Sequence, residues 1–147
     1  MSRLAPDLDP TLLASRLRLA VTRLNRRLRR QDDTRLSPSV QSALATLARH
    51  GPLSLGELAA HEALRPPTVT GIVSDLEARS LVARDPDPHD RRVVRVTVTP
   101  AGRALLERSR RRKTEYLAAR LRRLDEDRLR ALEDAVEVLE LLAEEDR

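Results

Sequence analysis

The sequence predicts a mainly α-helical protein that carries one small β wing. Two observations lead to this fold class. A capping residue followed by proline, the signature of a helix start, occurs at positions 9–10, 37–38 and 99–100. Apolar residues recur at helical spacing after each of these starts, whereas one short stretch, 94–98, instead alternates apolar and polar residues as a strand does. The 147 residues, 40% of them hydrophobic, suit one domain or one core with a helical extension.

The first half of the chain contains three predicted helices. The first begins at Asp9-Pro10 and continues to about residue 31, with leucines repeating at helical spacing. The second begins at Ser37-Pro38 and ends at "HGP", residues 50–52. Ser54 and Glu57 have the spacing of a capping box, which predicts a short third helix over 54–61.

The second half begins with a predicted helix over 65–79, preceded by a tight turn at 62–64. Strands are predicted at 81–84 and 94–98, around the charged turn "DPDPHDRR". Thr99-Pro100 starts a long helix that ends near residue 123, and Asp125 caps a last helix with heptad-like apolar spacing. The predicted order is four helices, two strands and two helices.

One polar stretch divides the chain into two predicted regions. Residues 107–115, "ERSRRRKTE", contain no apolar side chain, so this part of the long helix is not expected to lie on a core, and the basic run 108–113 is interpreted as a solvated face. We therefore expect a lobe over 37–99 and a helical dimerisation region formed by 9–31 and 100–145. The two ends of the chain bury little alone, so a second copy is expected to complete their core.

Composition excludes several classes of function. There is no cysteine, which removes disulfides, thiolate ligands and cysteine nucleophiles. The three histidines, at 50, 61 and 89, lack ligand spacing, and no phosphate loop, serine elbow or carboxylate pair is present, so we expect no metal, no cofactor and no enzyme. No apolar run could span a bilayer, and the first ten residues lack a secretory layout, so no membrane partner and a cytoplasmic location are expected.

Charge points toward nucleic acid. The net charge is +5, and arginine supplies 27 of the 28 basic residues. A guanidinium is planar and donates as a fork, which suits phosphate and the guanine edge. An arginine-rich, lysine-poor composition also arises in GC-rich genomes, so the position of the arginines has to decide.

The helix at 65–79 has two distinct faces. Val69, Ile72, Val73 and Leu76 form one apolar stripe. The candidate DNA contacts lie on the opposite face or near the helix start, where backbone amides and the helix dipole would favour a phosphate; they are Arg65, Pro67, Thr68, Thr70, Gly71 and Ser74. Small residues here would let the backbone approach base edges in a major groove. Arg91 and Arg92 lie at the tip of the charged turn, between strands whose valine face is expected to pack on the helices.

These pieces together resemble the MarR family of winged helix-turn-helix bacterial transcription regulators. The matching segments are "PPTVTGIVSDLEARSLV" for a recognition helix, "DPHDRR" for a wing tip and "VTVTPAG" for the return strand and the start of the long helix. The resemblance is densest over 54–106, and the flanking helices agree in order and length, so it covers essentially the whole chain.

The resemblance implies a dimeric repressor of a palindromic operator, with the recognition helix 65–79 in the major groove and the wing 84–95 in the minor groove. Arg91 and Arg92 would enter the narrow, negative minor groove. Asp90 corresponds to the family's wing acid, which pairs with an arginine and braces the tip; Arg92, Arg95 and Arg84 are alternative partners. Gly71 departs from the family, which often has a basic residue at that position.

Two alternatives stay open. A winged-helix protein–protein adaptor without DNA binding is the alternative function, although it would have no need of arginines at the wing tip. Family members often bind small aromatic or phenolic anions between the dimer body and the DNA-binding lobes, so the resemblance implies a candidate effector of that class. With no Phe or Trp for stacking, a repressor without a ligand is the other reading.

Overall fold

The computed structural model describes residues 9–144, which form six helices and a three-stranded sheet. The helices are α1 Pro10–Arg29, α2 Pro38–His50, α3 Leu55–Glu62, α4 Pro66–Ala78, α5 Pro100–Leu121 and α6 Glu126–Ala143. The strands are β1 Leu53–Ser54, β2 Val82–Pro86 and β3 Val94–Val98. This architecture confirms the predicted mainly α fold with a small β wing. None of the helices in the described range is long and apolar enough to cross a membrane.

Side-chain caps start the helices where the sequence predicts them. The Asp9 carboxylate accepts from the Thr11 amide at 2.8 Å, and the Asp125 carboxylate accepts from the Arg128 amide at 2.8 Å. Ser54 and Glu57 form a complete capping box, since each side chain accepts from the backbone amide of the other residue. These caps satisfy amides that the first turn of a helix leaves without partners.

The sheet contains one strand that was not predicted. Its order is β1-β3-β2 with antiparallel pairing, and Leu53 lies opposite Val96. β1 is only two residues long, too short for an alternating pattern in the sequence to reveal it. Its effect is to tie the wing strand β3 to the residues that precede α3.

The core belongs to one compact unit, residues Asp32–Arg111. Its buried apolar residues come from α2, α3, α4, the strands and the start of α5; Leu44, Leu47, Leu58, Val69, Val73, Leu76 and Val96 are the most deeply buried. Gly102 makes this packing possible, because a Cβ atom there would lie 2.3 Å from the Leu81 carbonyl oxygen. The first half of α5 can therefore lie directly against the end of α4 and the last valine of the wing.

The prediction for the polar stretch 107–115 was wrong at one residue. Ser109 is buried, and its hydroxyl accepts a hydrogen bond from Gln41 Nε2 of α2 at 3.1 Å. A small hydroxyl can face a neighbouring helix if it finds a polar partner, which an apolar pattern does not detect. The first half of α5 is thus part of the compact unit beyond residue 99.

The second compact unit joins the two ends of the chain, described over 9–31 and 112–144. It contains α1, the second half of α5 and α6, and no residue of α1 or α6 is buried. Large apolar side chains stay exposed along both helices; they include Leu13, Val21, Leu24, Leu129, Leu132, Val136 and Leu141. A groove of about 420 Å³ within this unit is lined mainly by Leu121, Leu129, Leu132 and Val136.

Candidate nucleic-acid interface

The two faces of α4 are as the sequence predicts. Val69, Ile72, Val73 and Leu76 are buried in the core. The six predicted contact residues are all exposed: Arg65, Pro67, Thr68, Thr70, Gly71 and Ser74. The helix therefore presents a row of small side chains to solvent, with one long cation, Arg65, at its start.

Intramolecular hydrogen bonds already use part of the polar capacity of this face. Thr70 Oγ1 donates to the Pro66 carbonyl at 3.0 Å, so its hydroxyl can only accept from a further partner, while its methyl group stays exposed. Ser74 Oγ accepts from Arg84 Nη2 at 2.9 Å. Arg84 Nε also lies 2.8 Å from Glu77 Oε2, an ion pair without hydrogen-bond geometry. Arg84 thus connects the wing strand β2 to the exposed side of α4.

The start of α4 offers no free backbone amide, contrary to the expectation of a phosphate site there. Pro66 and Pro67 have no N–H group, and the amides of Thr68 and Val69 both donate to the Arg65 carbonyl, at 3.0 and 3.2 Å. Arg65 itself makes no side-chain cap. Its guanidinium and the helix dipole are what remain to attract an anion at this end.

Gly71 is not required by the packing of the chain. A Cβ atom added there would meet nothing within 4 Å, unlike one added at Gly102. Glycine within a helix is less stable than alanine by about 1 kcal/mol. The open space around Gly71 leaves the backbone of α4 uncovered at this position of the exposed face.

The wing is a closed loop with an exposed tip. The Asp87 amide donates to the Val93 carbonyl at 2.8 Å, and the Val93 amide donates to the Asp90 carbonyl at 2.9 Å. Arg91 is exposed at the tip, and none of the ion pairs found within the described range 9–144 involves it. Asp90 Oδ1 accepts from Arg92 Nε at 3.2 Å, yet the Arg92 side chain remains 92% exposed. Among the three candidate partners of Asp90, the structure selects Arg92.

A different acid holds the base of the wing. Asp87 is 7% exposed, and its carboxylate accepts from the amides of His89 and Asp90 and from Arg95 Nε at 2.6 Å. Arg95 Nη1 also donates to Glu57 Oε2 of α3 at 2.6 Å. The Arg95 guanidinium, followed by the His89 amide, lowers the pKa of Asp87 to about 2. Asp87, Arg95 and Glu57 form what we call the wing brace.

Sequence reasoning missed this function of Asp87 because several acids lie close together in "RDPDPHDRR". The sequence did contain one signal for this role: Asp87 and Arg95 are separated by a predicted turn, with a spacing that suits residues at the ends of adjacent strands. Asp90 pairs within the exposed tip, so its contact with Arg92 alone does not connect the tip to a helix. The connection to α3 is made by Arg95.

The valine face of the wing is shorter than predicted. Val96 and Val98 are buried on the helices, but Val94 is 39% exposed. Val94 lies opposite Pro86 at the end of the β2–β3 ladder, where the ribbon has passed beyond the helices that cover its inner face. The alternating pattern predicts which face a residue is on but not how far the underlying core extends.

Histidines meet in the structure despite their separation in sequence. The rings of His50 and His61 stack with centroids 4.3 Å apart. Within residues 9–144, however, no group of three or more His, Cys, Asp or Glu side chains could hold a metal ion. The paired rings therefore add a contact between α2 and α3 and no recognisable ligand set.

Comparisons with known proteins agree with this geometry. Residues 36–94 match the MarR family. The chain is 42% identical over 134 residues to an uncharacterised HTH-type transcriptional regulator of Mycobacterium leprae, an alignment that covers 90% of this chain and 94% of the relative. The chain belongs to the MarR family. Its members bind DNA as transcription regulators and are generally not enzymes, so the chain is a DNA-binding transcriptional regulator of MarR type.

Solved structures show the same fold. A Pseudomonas aeruginosa protein described as a transcriptional regulator superposes with a TM-score of 0.84 at 32% identity, covering 96% of this chain and all of the other. A MarR family protein from Bacillus stearothermophilus superposes with a TM-score of 0.75 at 26% identity, covering 91% of this chain and 96% of the other. In MarR terms, α3 and α4 are the helix-turn-helix, and β2 and β3 are the wing.

Proposed function

We propose that the protein is a dimeric, sequence-specific repressor that binds a palindromic operator, with residues 65–79 in the major groove and the wing 84–95 in the minor groove. The observation that carries the proposal is the pairing state of the arginines. Arg79, Arg84 and Arg95 all contact carboxylates of the same lobe, whereas no ion pair found among the described residues involves Arg65 or Arg91. Two guanidiniums without such a partner, those of Arg65 and Arg91, are thus at the helix start and the wing tip, where a duplex would be contacted.

The proposed contacts differ in what they read. Arg65, Arg91 and Arg92 would contact phosphates or the minor groove and supply affinity that depends on salt. Thr68 and Thr70 would contact thymine methyl groups or accept one hydrogen bond. Pro67, Gly71 and Ser74 would line the groove without making bidentate hydrogen bonds to a base. Because no arginine projects from the middle of the exposed face, direct readout in the major groove should be shallow.

Dimerisation is supported by the unit that contains both ends of the chain. Its helices α1 and α6 have exposed leucines and valines but no buried residue. A globular protein rarely leaves so much contiguous apolar surface uncovered. A second copy would cover it, and two symmetry-related lobes would then read two half-sites of a palindrome.

Repression and release by an effector are supported by relatives. The chain is 48% identical over 64 residues to the transcriptional repressor NicR of Pseudomonas putida, 44% of this chain and 40% of NicR. A structure of Bordetella bronchiseptica BpsR, at 28% identity and a TM-score of 0.60, concerns regulation of its DNA binding by 6-hydroxynicotinic acid. By analogy with these two relatives, we propose that this protein responds to a small aromatic or phenolic effector.

The chain itself offers few aromatic groups for such a ligand. Tyr116 is the only aromatic residue besides histidine, and the Arg120 guanidinium lies 4.3 Å from its ring centroid. A hydrogen bond from Arg120 lowers the pKa of the Tyr116 hydroxyl. Recognition of an aromatic anion would therefore depend on guanidinium groups more than on ring stacking.

To test the proposal, sequences that bind the full-length protein are selected from random DNA. The affinity for the selected duplex is then measured across a range of salt concentrations. The proposal expects a two-fold symmetric consensus and a steep decrease in affinity with salt. A protein–protein adaptor would select no consensus. An asymmetric consensus bound by one protomer would contradict the dimeric part of the proposal while leaving DNA binding intact.

A further inference from the structure

Two exposed hydroxyl groups of α4, those of Thr70 and Ser74, have opposite roles in the hydrogen bonds of the lobe. Thr70 Oγ1 donates to the Pro66 carbonyl at 3.0 Å, whereas Ser74 Oγ accepts from Arg84 Nη2 at 2.9 Å. A hydroxyl group has one hydrogen to donate and two lone pairs with which to accept. Thr70 has therefore used its only donor. Ser74 keeps its hydrogen, because no hydrogen bond found among residues 9–144 has the Ser74 hydroxyl as its donor.

The direction of the Thr70 hydroxyl is set within α4. Serine and threonine inside a helix often donate to the carbonyl four residues earlier, and Thr70 does so to Pro66. This bond depends on no other element of the fold. Because Thr70 is exposed, its hydroxyl oxygen can still accept a hydrogen bond from a group outside the protein.

The direction of the Ser74 hydroxyl is instead imposed by the wing. Arg84 lies in β2, where it pairs with Val96 of β3, so the register of the wing fixes the position from which its side chain starts. Its Nε atom is buried and lies 2.8 Å from Glu77 Oε2. Ser74 and Glu77 are three residues apart and share one face of α4. A guanidinium can only donate, so Ser74 has to accept from it and its hydrogen is left for another partner.

We infer that Thr70 acts as an acceptor and Ser74 as a donor toward bases in the major groove, and that Arg84 is the positioning residue that gives Ser74 this direction. The inference rests on the proposed operator binding and assigns a hydrogen-bond direction to two of its contacts. Four residues of helix separate the two hydroxyls by roughly 6 Å along the axis. Base pairs are stacked roughly 3.4 Å apart, so the two hydroxyls should read positions one or two base steps apart.

The two directions correspond to different bases. In the major groove adenine and cytosine present amino donors, guanine and thymine present carbonyl acceptors, and both purines present the acceptor N7. Thr70 is therefore matched by adenine or cytosine and mismatched by guanine, whereas thymine would contact only its methyl group. Ser74 is matched by guanine, thymine or the N7 atom of adenine. Its only mismatch is cytosine, whose amino donor would face another donor.

The test measures base preference with the full-length protein on a library of half-site variants, by fluorescence anisotropy of labelled duplexes. Thr70→Val, which keeps the shape but lacks the hydroxyl, and Ser74→Ala identify the position that each hydroxyl reads. The wild type should bind more weakly when guanine is at the Thr70 position and when cytosine is at the Ser74 position. Each penalty should be about two- to tenfold, the contribution of one neutral hydrogen bond.

The decisive variant is Arg84→Met, which keeps an apolar stem and removes the guanidinium. The cytosine penalty should disappear, because the released Ser74 hydroxyl can turn and accept from the amino group, while the guanine penalty at the Thr70 position should remain. Adding Arg84→Met to Ser74→Ala should cause no further change at the Ser74 position, because Arg84 acts there through Ser74. The matched control is Arg103→Met, which removes the same charge from an exposed position of α5 and should retain both penalties.

Several results would overturn the inference and leave the proposed operator binding intact. One is a symmetric consensus in which the wild type accepts cytosine as well as any other base at the Ser74 position. Another is an equal loss of both penalties in Arg84→Met, which would mean that the variant disturbs α4 as a whole. A third is a lower salt slope in Arg84→Met, which would show that Arg84 neutralises a phosphate.

Two further outcomes complete the test. If Arg84→Met does not fold, Glu77→Gln takes its place, since Glu77 is exposed and its charge holds Arg84. This variant should reduce the cytosine penalty, and an unchanged penalty would overturn the inference. If the wild type selects no consensus at all, the proposed operator binding and the inference both fail.

Discussion

Replacing Gly71 by alanine tests the effect of this glycine on the stability of α4 separately from its effect on DNA binding. The glycine is exposed, lies in the sixth position of a 13-residue helix, and has open space where a Cβ atom would be. Alanine is favoured over glycine in a helix by about 0.5–1 kcal/mol, and nothing in the fold opposes the new methyl group. A change of 1 kcal/mol shifts the melting temperature of a protein of this size by about 2–4 °C. Gly71→Ala should therefore melt up to about 4 °C higher.

The comparison glycine is Gly102, where the same methyl group should be destabilising. Its Cβ atom would lie 2.3 Å from the Leu81 carbonyl oxygen and 2.8 Å from Val98 Cγ1. That carbonyl also accepts from the Thr99 amide at 3.0 Å, so it cannot move without breaking a hydrogen bond. Overpacking of this kind costs about 1–3 kcal/mol. Differential scanning calorimetry of the two variants gives shifts of opposite sign if the packing argument is right.

Operator binding then tests the proposed readout. Gly71→Arg adds a long donor to the middle of the exposed face and should tighten binding and change base preference, by an amount equivalent to about 1–3 kcal/mol for one forked base contact. The assay is fluorescence anisotropy on a library of half-site variants. If Gly71→Arg abolishes binding to every sequence while the protein stays folded and dimeric, the glycine is there for close backbone approach. The account of shallow direct readout is then refuted.

Four further outcomes follow from the structure. The double variant Arg91→Ala/Arg92→Ala should lower the log–log salt slope by about 0.9 for each phosphate that the wing tip no longer neutralises, measured by binding titrations from low to high salt. Thr70→Ala should relax preference at one position per half-site in the same half-site library, because the variant lacks the methyl group and the hydroxyl acceptor. Leu132→Glu should shift sedimentation from dimer to monomer, since it places a charge among exposed apolar residues of α6. Asp87→Asn should lower the melting temperature at pH 7, and the difference from the wild type should vanish near pH 2. The reason is that a carboxylate with a lowered pKa stabilises the fold above its unfolded pKa of 3.8. This stabilisation is lost as the pH falls through the folded pKa of about 2.

Each of these outcomes has a result that counts against it. An unchanged salt slope in a folded wing-tip variant would exclude the tip from the interface. A Thr70→Ala protein with wild-type preference at every position would remove that residue from the readout. A Leu132→Glu protein that remains dimeric would place the dimer interface elsewhere, and a melting difference for Asp87→Asn that persists at pH 2 would mean that its charge is not the cause.

Local signals predicted most of the fold. Caps at Asp9, Ser37, Ser54 and Asp125 mark helix starts because short polar side chains there satisfy backbone amides of the first turn. The buried stripe of α4 was likewise predictable, since residues three and four apart share one face of any helix. The exposure of the six candidate contact residues follows from the same rule. Their contacts with DNA stay predictions.

Contacts between distant segments could not be predicted in the same way. Ser109 looked like part of a solvated stretch, and only the approach of Gln41 from α2 makes it a buried residue. The same is true of β1, whose two residues become a strand because β3 lies beside them. The choice of Asp87 over Asp90 as the acid of the wing brace depended on where Arg95 points and on the position of Glu57.

The order of helices, the faces of α4, the charged wing tip and the family resemblance were predictable because each of these depends on residues close together along the chain. Which arginines are neutralised within the lobe, and which stay unpaired among the described residues, depends instead on how the elements pack. That distinction separates Arg84 and Arg95, held by carboxylates, from Arg91 at the wing tip. An ion pair requires that two charged groups from different elements lie within a few ångströms of each other, and the packing of those elements sets this distance.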